Sequence, residues 1–144
     1  MTLKVAIACD HGGVDLKNFL KDSFELKWID LGTNDPKKSV DYPDYGYALA
    51  ETIASGEADF GIAICGSGIG ISIACNRHPD IRAALCTNTT MAKLAREHND
   101  ANVLCLGARL TGEVLAAEIV KEFLENDFEG GRHQARIDKL TEGL

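Results

Sequence analysis

Residues 62–75 read IAICGSGIGISIAC and set a thiol at the mouth of a glycine-rich turn. An apolar run ends at Cys65. Gly66, Ser67, Gly68, Ile69 and Gly70 follow, and then a second apolar run begins. A strand that enters a helix through glycines leaves backbone N–H groups free at the helix N-terminus. Those donors and the helix dipole make an anion site, and the missing side chains let a ligand come close. The familiar nucleotide motifs are absent. G-x-G-x-x-G would need glycine where Ile71 stands, and no Gly-Lys-Ser/Thr triplet follows. A thiol beside such donors is favoured as thiolate and can serve as nucleophile or general base. No cysteine-protease signature surrounds Cys65. A base next to N–H donors suits removal of a proton α to a carbonyl, the donors holding the resulting enediolate. Ser67 adds a hydroxyl that can shuttle or orient a proton.

Three further segments carry reactive groups. In CDHGG (9–13), Asp10 and His11 directly follow an apolar run. Asp10 also suits a helix N-cap, which leaves the adjacent His11 unexplained. In REHNDANVL (96–104), His98 closes a helical stretch, where the dipole favours a cationic imidazole. Its spacing from Leu94 equally suits a histidine at the edge of a core. In GGRHQAR (130–136), Arg132 and Arg136 lie one helical turn apart, with His133 between them. That cluster suits either a solvated helix face or a phosphate clamp, since a guanidinium matches phosphate geometry. Arg109, which follows another apolar run, is placed to join it.

The elements that must position these groups alternate along the chain. Short apolar runs predict buried strands at 4–9, 26–32, 59–65, 81–86 and 102–107. Helical spacing predicts helices at 15–24, 45–55, from the glycines through about 76, at 89–98, at 112–126 and at 133–142. Residues 33–43, with Asn, Asp, Pro and Lys, read as a loop, and Lys37 and Lys38 as solvated charge. Strand–helix alternation implies βαβ units, hence a parallel sheet with helices on both faces and right-handed crossovers. Ligands of such sheets bind beyond the C-terminal strand ends. That rule places DHGG (10–13), CGSGIG (65–70), TNTT (87–90) and GARL (107–110) on one rim.

Composition sets the bounds. A chain of 144 residues suits one domain with one core. The formal charge of -7 argues against nucleic acid or an anionic membrane as partner, though a small anion can still find a locally positive pocket. No apolar stretch nears the ~20 residues of a membrane span, and the first residues lack a signal-peptide layout. Cys9, Cys65, Cys75, Cys86 and Cys105 form no Cys-x-x-Cys spacing, and an odd number cannot all pair. Free thiols, no structural metal and a cytoplasmic location are the expectation.

Taken in order, ACDHGG (8–13), DYPDY (41–45), ICGSGIGISIACN (64–76), IRAALC (81–86), HNDANVLCLGAR (98–109) and EGGRHQARI (129–137) resemble the type B ribose-5-phosphate isomerases. That family also includes the two-component galactose-6-phosphate isomerases. The resemblance covers essentially the whole chain. It implies a Rossmann-like three-layer α/β/α sandwich with a five-stranded parallel sheet, forming a single sugar-phosphate isomerase domain over 1–144. The implied activity is interconversion of ribose 5-phosphate and ribulose 5-phosphate through a cis-enediolate, in the pentose phosphate pathway, with no metal or organic cofactor. By the same resemblance Cys65 is the base between C2 and C1, and Gly66, Ser67, Gly68 and Gly70 form the anion hole. His98 assists ring opening, with Asp10 on the ring oxygens. Asn99 and Tyr42 contact substrate hydroxyls, and His11, Arg109, Arg132 and Arg136 bind phosphate.

The family is dimeric or a dimer of dimers with sites shared between subunits. His98, Asn99 and Arg109 are therefore expected to reach a partner's Cys65, and the last helix to lie at the dimer interface. Two departures matter. Ser67 stands where many relatives have Thr, which keeps the hydroxyl with a less fixed rotamer. Ile71 stands where a second subgroup carries a catalytic Glu, so Cys65 must carry the chemistry. A six-carbon sugar phosphate, a non-catalytic sugar-phosphate sensor and a thiol-dependent hydrolase are the alternatives.

Overall fold

The computed structural model describes residues 2–144. Five strands, β1 (Lys4–Cys9), β2 (Lys27–Asp30), β3 (Phe60–Cys65), β4 (Ala83–Leu85) and β5 (Val103–Gly107), form one parallel sheet in the order β2-β1-β3-β5-β4. The helices are α1 (Val14–Ser23), α2 (Tyr42–Ala54), α3 (Ile69–Asn76), α4 (Thr89–Asn99), α5 (Glu113–Glu125) and α6 (Arg132–Glu142). Alternation along β1 explains the layers. Val5, Ile7 and Cys9 face a core built with Leu16 and Leu20 of α1, Ala92 and Ala95 of α4, and Ile119 and Phe123 of α5. Ala6 and Ala8 face a second core with Leu49 and Ile53 of α2 and Ile71 and Cys75 of α3. The expected three-layer α/β/α sandwich is what the chain forms.

The order in which strands are added reverses between β1 and β3, since β2 lies outside β1 on one side and β3 follows on the other. Doubly wound sheets hold their ligands at such a reversal, beyond the carboxyl ends of the strands. Asp10 and His11 follow β1, Cys65 ends β3 and Gly66 follows it.

Several boundaries differ from expectation for local reasons. A 3-10 turn at His11–Gly13 precedes α1, capped by Asp10, whose carboxylate accepts the Gly12 N–H at 3.0 Å. α2 starts at Tyr42 rather than at 45. Asp41 is extended at the N-cap, and Pro43 sits in the first turn, where its missing N–H has no partner to lose. β4 holds only three residues. Its entry is stitched by side chains, with Asn102 Oδ1 accepting the Arg82 N–H at 2.8 Å and Asn76 Oδ1 accepting the Ala83 N–H at 2.7 Å. All five cysteines are free and buried. Lys37 and Lys38 are exposed. Among the described residues, no helix is long and apolar enough to cross a membrane.

Candidate active site

Cys65 closes β3 with its side chain buried, and its Sγ accepts the backbone N–H of Gly68 at 3.2 Å. The loop over the thiol can form only with glycine at 68. Its φ of +79° is left-handed, and a Cβ there would lie 2.5 Å from Leu85 Cδ1 and 2.8 Å from the Leu106 carbonyl carbon. Gly68 is also the N-cap residue of α3, so the sulfur meets the positive end of that helix. Ser67 Oγ accepts the Ile69 N–H at 3.2 Å, which leaves its hydroxyl hydrogen to point elsewhere. Burial pushes Cys9 up to about 12 and Cys86 up to about 11, and a neighbouring Cys75 with full burial raises Cys105 well above its ordinary value.

Asp10, His11, Tyr42, Cys65, Gly66, Ser67, Gly70, Arg109 and Leu110 line one open cleft of about 520 Å³. Asp10 is buried, and its Oδ1 is occupied by its own turn. The N-cap role and a role toward ligand are thus compatible, since the second carboxylate oxygen makes no bond within the chain. His11 Nδ1 accepts the Val40 N–H at 3.2 Å, so the neutral ring carries its proton on Nε2, a donor suited to an anion. The Tyr42 ring packs against Gly70, where a Cβ would come within 2.6 Å of it. Arg109 is a correction. Its backbone N–H donates to the Gly66 carbonyl at 3.0 Å, and its guanidinium lies over Gly66 of its own chain rather than reaching away to a partner.

His98, Asn99, Arg132 and Arg136 stand elsewhere. α4 starts beside the cleft rim just after β4 and runs back about 16 Å before β5 begins, so its last turn lies at the opposite end of the sheet. Arg96 clamps that end, donating through Nη1 to Asp100 Oδ1 at 2.9 Å and to the Ala101 carbonyl at 2.6 Å. The His98 ring stacks on His133 of α6, with centroids 4.4 Å apart and planes at 15°. His98 Nε2 lies 3.3 Å from Glu129 Oε1, and His133 Nε2 lies 3.7 Å from the same oxygen without a hydrogen bond. His133 is buried, and desolvation, with Arg132 and His98 beside it, lowers its pKa. Arg132 and Arg136 are exposed on the first turns of α6. Asn99 lines a separate cavity of about 420 Å³ with His78, Arg82 and Leu140.

The atoms of His98, Glu129 and His133 that could hold a metal lie within 4.8 Å of one another. The two stacked rings, however, send their lone pairs side by side rather than toward one point, so the set does not fit a tetrahedral ion.

A single chain therefore holds two separate clusters of polar side chains. The first has a thiol under backbone donors, a carboxylate, an imidazole donor and a guanidinium. That arrangement can take a proton from carbon and hold an oxyanion. The second has a stacked imidazole pair and two arginines. The model of the family described as Ribose/Galactose Isomerase matches residues 5–140. The chain belongs to that family. The putative sugar phosphate isomerase YwlF of Bacillus subtilis is 50% identical over 143 residues, covering 97% of this chain and 96% of that protein. A crystal structure of a ribose 5-phosphate isomerase from Thermotoga maritima superposes with a TM-score of 0.96 at 49% identity, covering 98% of this chain and 99% of that one. A ribose-5-phosphate isomerase B from Mycoplasma genitalium, solved with bound ribulose-5-phosphate, gives 0.92 at 39% identity, covering 99% and 96%.

Membership of the family of ribose and galactose isomerases makes four further residues notable. Val40, Gly107, Leu110 and Glu129 were not singled out as site residues, although GARL (107–110) was expected on the rim, yet each shapes one of the two clusters. Gly107 was detectable, because a glycine closing an apolar run often marks a close backbone approach. A Cβ there would lie 2.5 Å from the Ser67 carbonyl oxygen. Val40 acts through its backbone N–H, which no residue type announces.

Proposed function

We propose that this protein interconverts ribose 5-phosphate and ribulose 5-phosphate by proton transfer through a cis-enediolate. The observation that carries the proposal is the Cys65 sulfur, held under the Gly68 N–H in a cleft with Asp10, His11 and Arg109. In the aldose-to-ketose direction the C1–O4 bond of the furanose breaks, O4 gains a proton and the C1 hydroxyl loses one, assisted by His98 and Asp10. Cys65 then removes the proton on C2. The carbonyl oxygen at C1 is protonated, and the N–H groups of the Gly66–Gly70 loop stabilise the charge that develops. Return of the proton from Cys65 to C1, with loss of the O2 proton, gives the ketose. His11, Arg109, Arg132 and Arg136 hold the phosphate, and Tyr42 and Asn99 contact hydroxyls. The chemistry is proton transfer alone and calls for no metal or organic cofactor.

Because one chain separates Cys65 from His98, the proposed active unit is a homodimer, or a dimer of dimers, with sites shared between copies. Residues 1–144 act as one domain, α6 lies at the interface, and the buried free thiols suit a reducing compartment such as the cytoplasm. The same chemistry fits a six-carbon sugar phosphate, a reading favoured by the galactose half of the family description. Purified protein is given ribose 5-phosphate and, in parallel, allose 6-phosphate and galactose 6-phosphate. Turnover of the pentose supports the proposal. Turnover confined to a six-carbon sugar keeps the mechanism and changes the substrate. Turnover of none contradicts it.

A further inference from the structure

We infer that Glu129 is a positioning residue for ring opening, holding the His98 imidazole by its Nε2 so that Nδ1 faces the sugar. The inference rests on the role proposed above for His98. Two contacts place Glu129 there, and a third fixes the His98 ring. Its backbone N–H donates to the Glu97 carbonyl at 3.0 Å, which ties it to the last turn of α4. Its Oε1 lies 3.3 Å from His98 Nε2. One ring face of His98 is covered by His133, stacked at 4.4 Å and itself buried. One contact fixes the edge of the imidazole and the other fixes its plane. Together they remove the two rotations that an imidazole at a helix end would otherwise keep.

A carboxylate on one ring nitrogen also decides the tautomer. With the Glu129 carboxylate 3.3 Å from Nε2, a neutral ring favours its proton on that nitrogen, which leaves Nδ1 as the acceptor able to take the proton lost from the C1 hydroxyl as the C1–O4 bond breaks and O4 is protonated. His133 cannot play this part. Its Nε2 is 3.7 Å from Glu129, buried and without a hydrogen-bond partner. Its ring serves as a wall. The carboxylate is half exposed in the single chain, so its hold on His98 is modest and an effect of less than two orders of magnitude is expected.

The test separates ring opening from the proton transfer at carbon. Ribulose 5-phosphate has no free hydroxyl with which to close a furanose, so exchange of its C1 hydrogen needs only the enediolate chemistry. Glu129→Gln keeps the backbone contact and the shape. We expect it to slow turnover of ribose 5-phosphate about five- to tenfold. Entry of solvent deuterium at C1 of ribulose 5-phosphate should stay within about twofold of the unaltered protein. In a His98→Asn background, adding Glu129→Gln should cause no further loss. An equal loss in both rates, no loss in either, or additive losses in the double variant would overturn the positioning role while leaving the proposed function intact. Failure of the unaltered protein to turn over ribose 5-phosphate would overturn the proposed function, and this role with it.

Discussion

At the C-terminal rim of the sheet the backbone carries much of the site, whereas at the opposite end, where α4 meets α6, side chains carry all of it. Around Cys65 the loop N–H groups, the end of α3 and the close approaches at Gly66, Gly68 and Gly107 define the space, and side chains fill in the chemistry. Around His98 no loop of that kind exists. A stacked imidazole pair and two arginines stand on α4 and α6 with a carboxylate from the segment before α6, and Arg96 ties down the end of α4. Rigid backbone suits the step that must stabilise an oxyanion without reorganising. Side chains on helix ends suit steps that bind and release a flexible sugar phosphate.

The largest expected effect falls at the backbone end. Cys65→Ala should lower kcat by roughly 10³-fold or more with the melting temperature nearly unchanged, measured by turnover of ribose 5-phosphate beside a thermal melt. A variant as active as the parent would make the thiol structural and erase the distinction between the two ends. At the side-chain end, His98→Ala should cost about 10²-fold in turnover of the cyclic aldose and much less in deuterium entry into the ketose.

Gly68→Ala sharpens the contrast by damaging structure rather than chemistry. The left-handed φ and the contacts with Leu85 and Leu106 predict a loss of about 2–4 kcal/mol in denaturant unfolding. The same change at Gly112, which faces open space, should cost less than ~1 kcal/mol. Iodoacetamide near pH 8 should label Cys65 ahead of Cys9 and Cys86, whose burial holds them protonated, with values of about 12 and 11. Peptide mapping that finds Cys9 or Cys86 labelled first would contradict the assignment.

The smallest effect concerns His133. Its pKa is lowered from an ordinary 6.5 by desolvation, so the unfolded chain takes up this proton before the folded chain does. Its contribution to stability is therefore full above about 6.5 and is lost as pH falls below that value. His133→Gln should flatten that part of the stability curve, as followed by chemical denaturation between pH 7 and pH 5.

The sheet and its order of elements were legible because buried parallel strands read as short apolar runs, as in 4–9 and 59–65. The rim residues Asp10, Cys65 and Gly66 were legible because sites in such sheets follow strand ends. The start of α2 was missed by three residues, since Tyr42-Pro43 reads as loop until the tolerance for Pro in a first helical turn is applied. Glu129 was missed because it precedes a helix in a polar stretch, and only tertiary packing brings it to His98. The fate of Arg109 was misjudged because a side chain at a strand end can turn into either of two clefts. Its backbone bond to Gly66 puts it in its own.

The central claim is that an active site needs Cys65 from one copy and His98 from another. Cys65→Ala and His98→Ala chains, each retaining about 1% of parent turnover or less alone, are mixed, unfolded and refolded together, and turnover of ribose 5-phosphate is measured. Random pairing makes half the dimers mixed, and each mixed dimer has one intact site, so about a quarter of the parent activity should return. A mixture as inactive as its components would contradict the account.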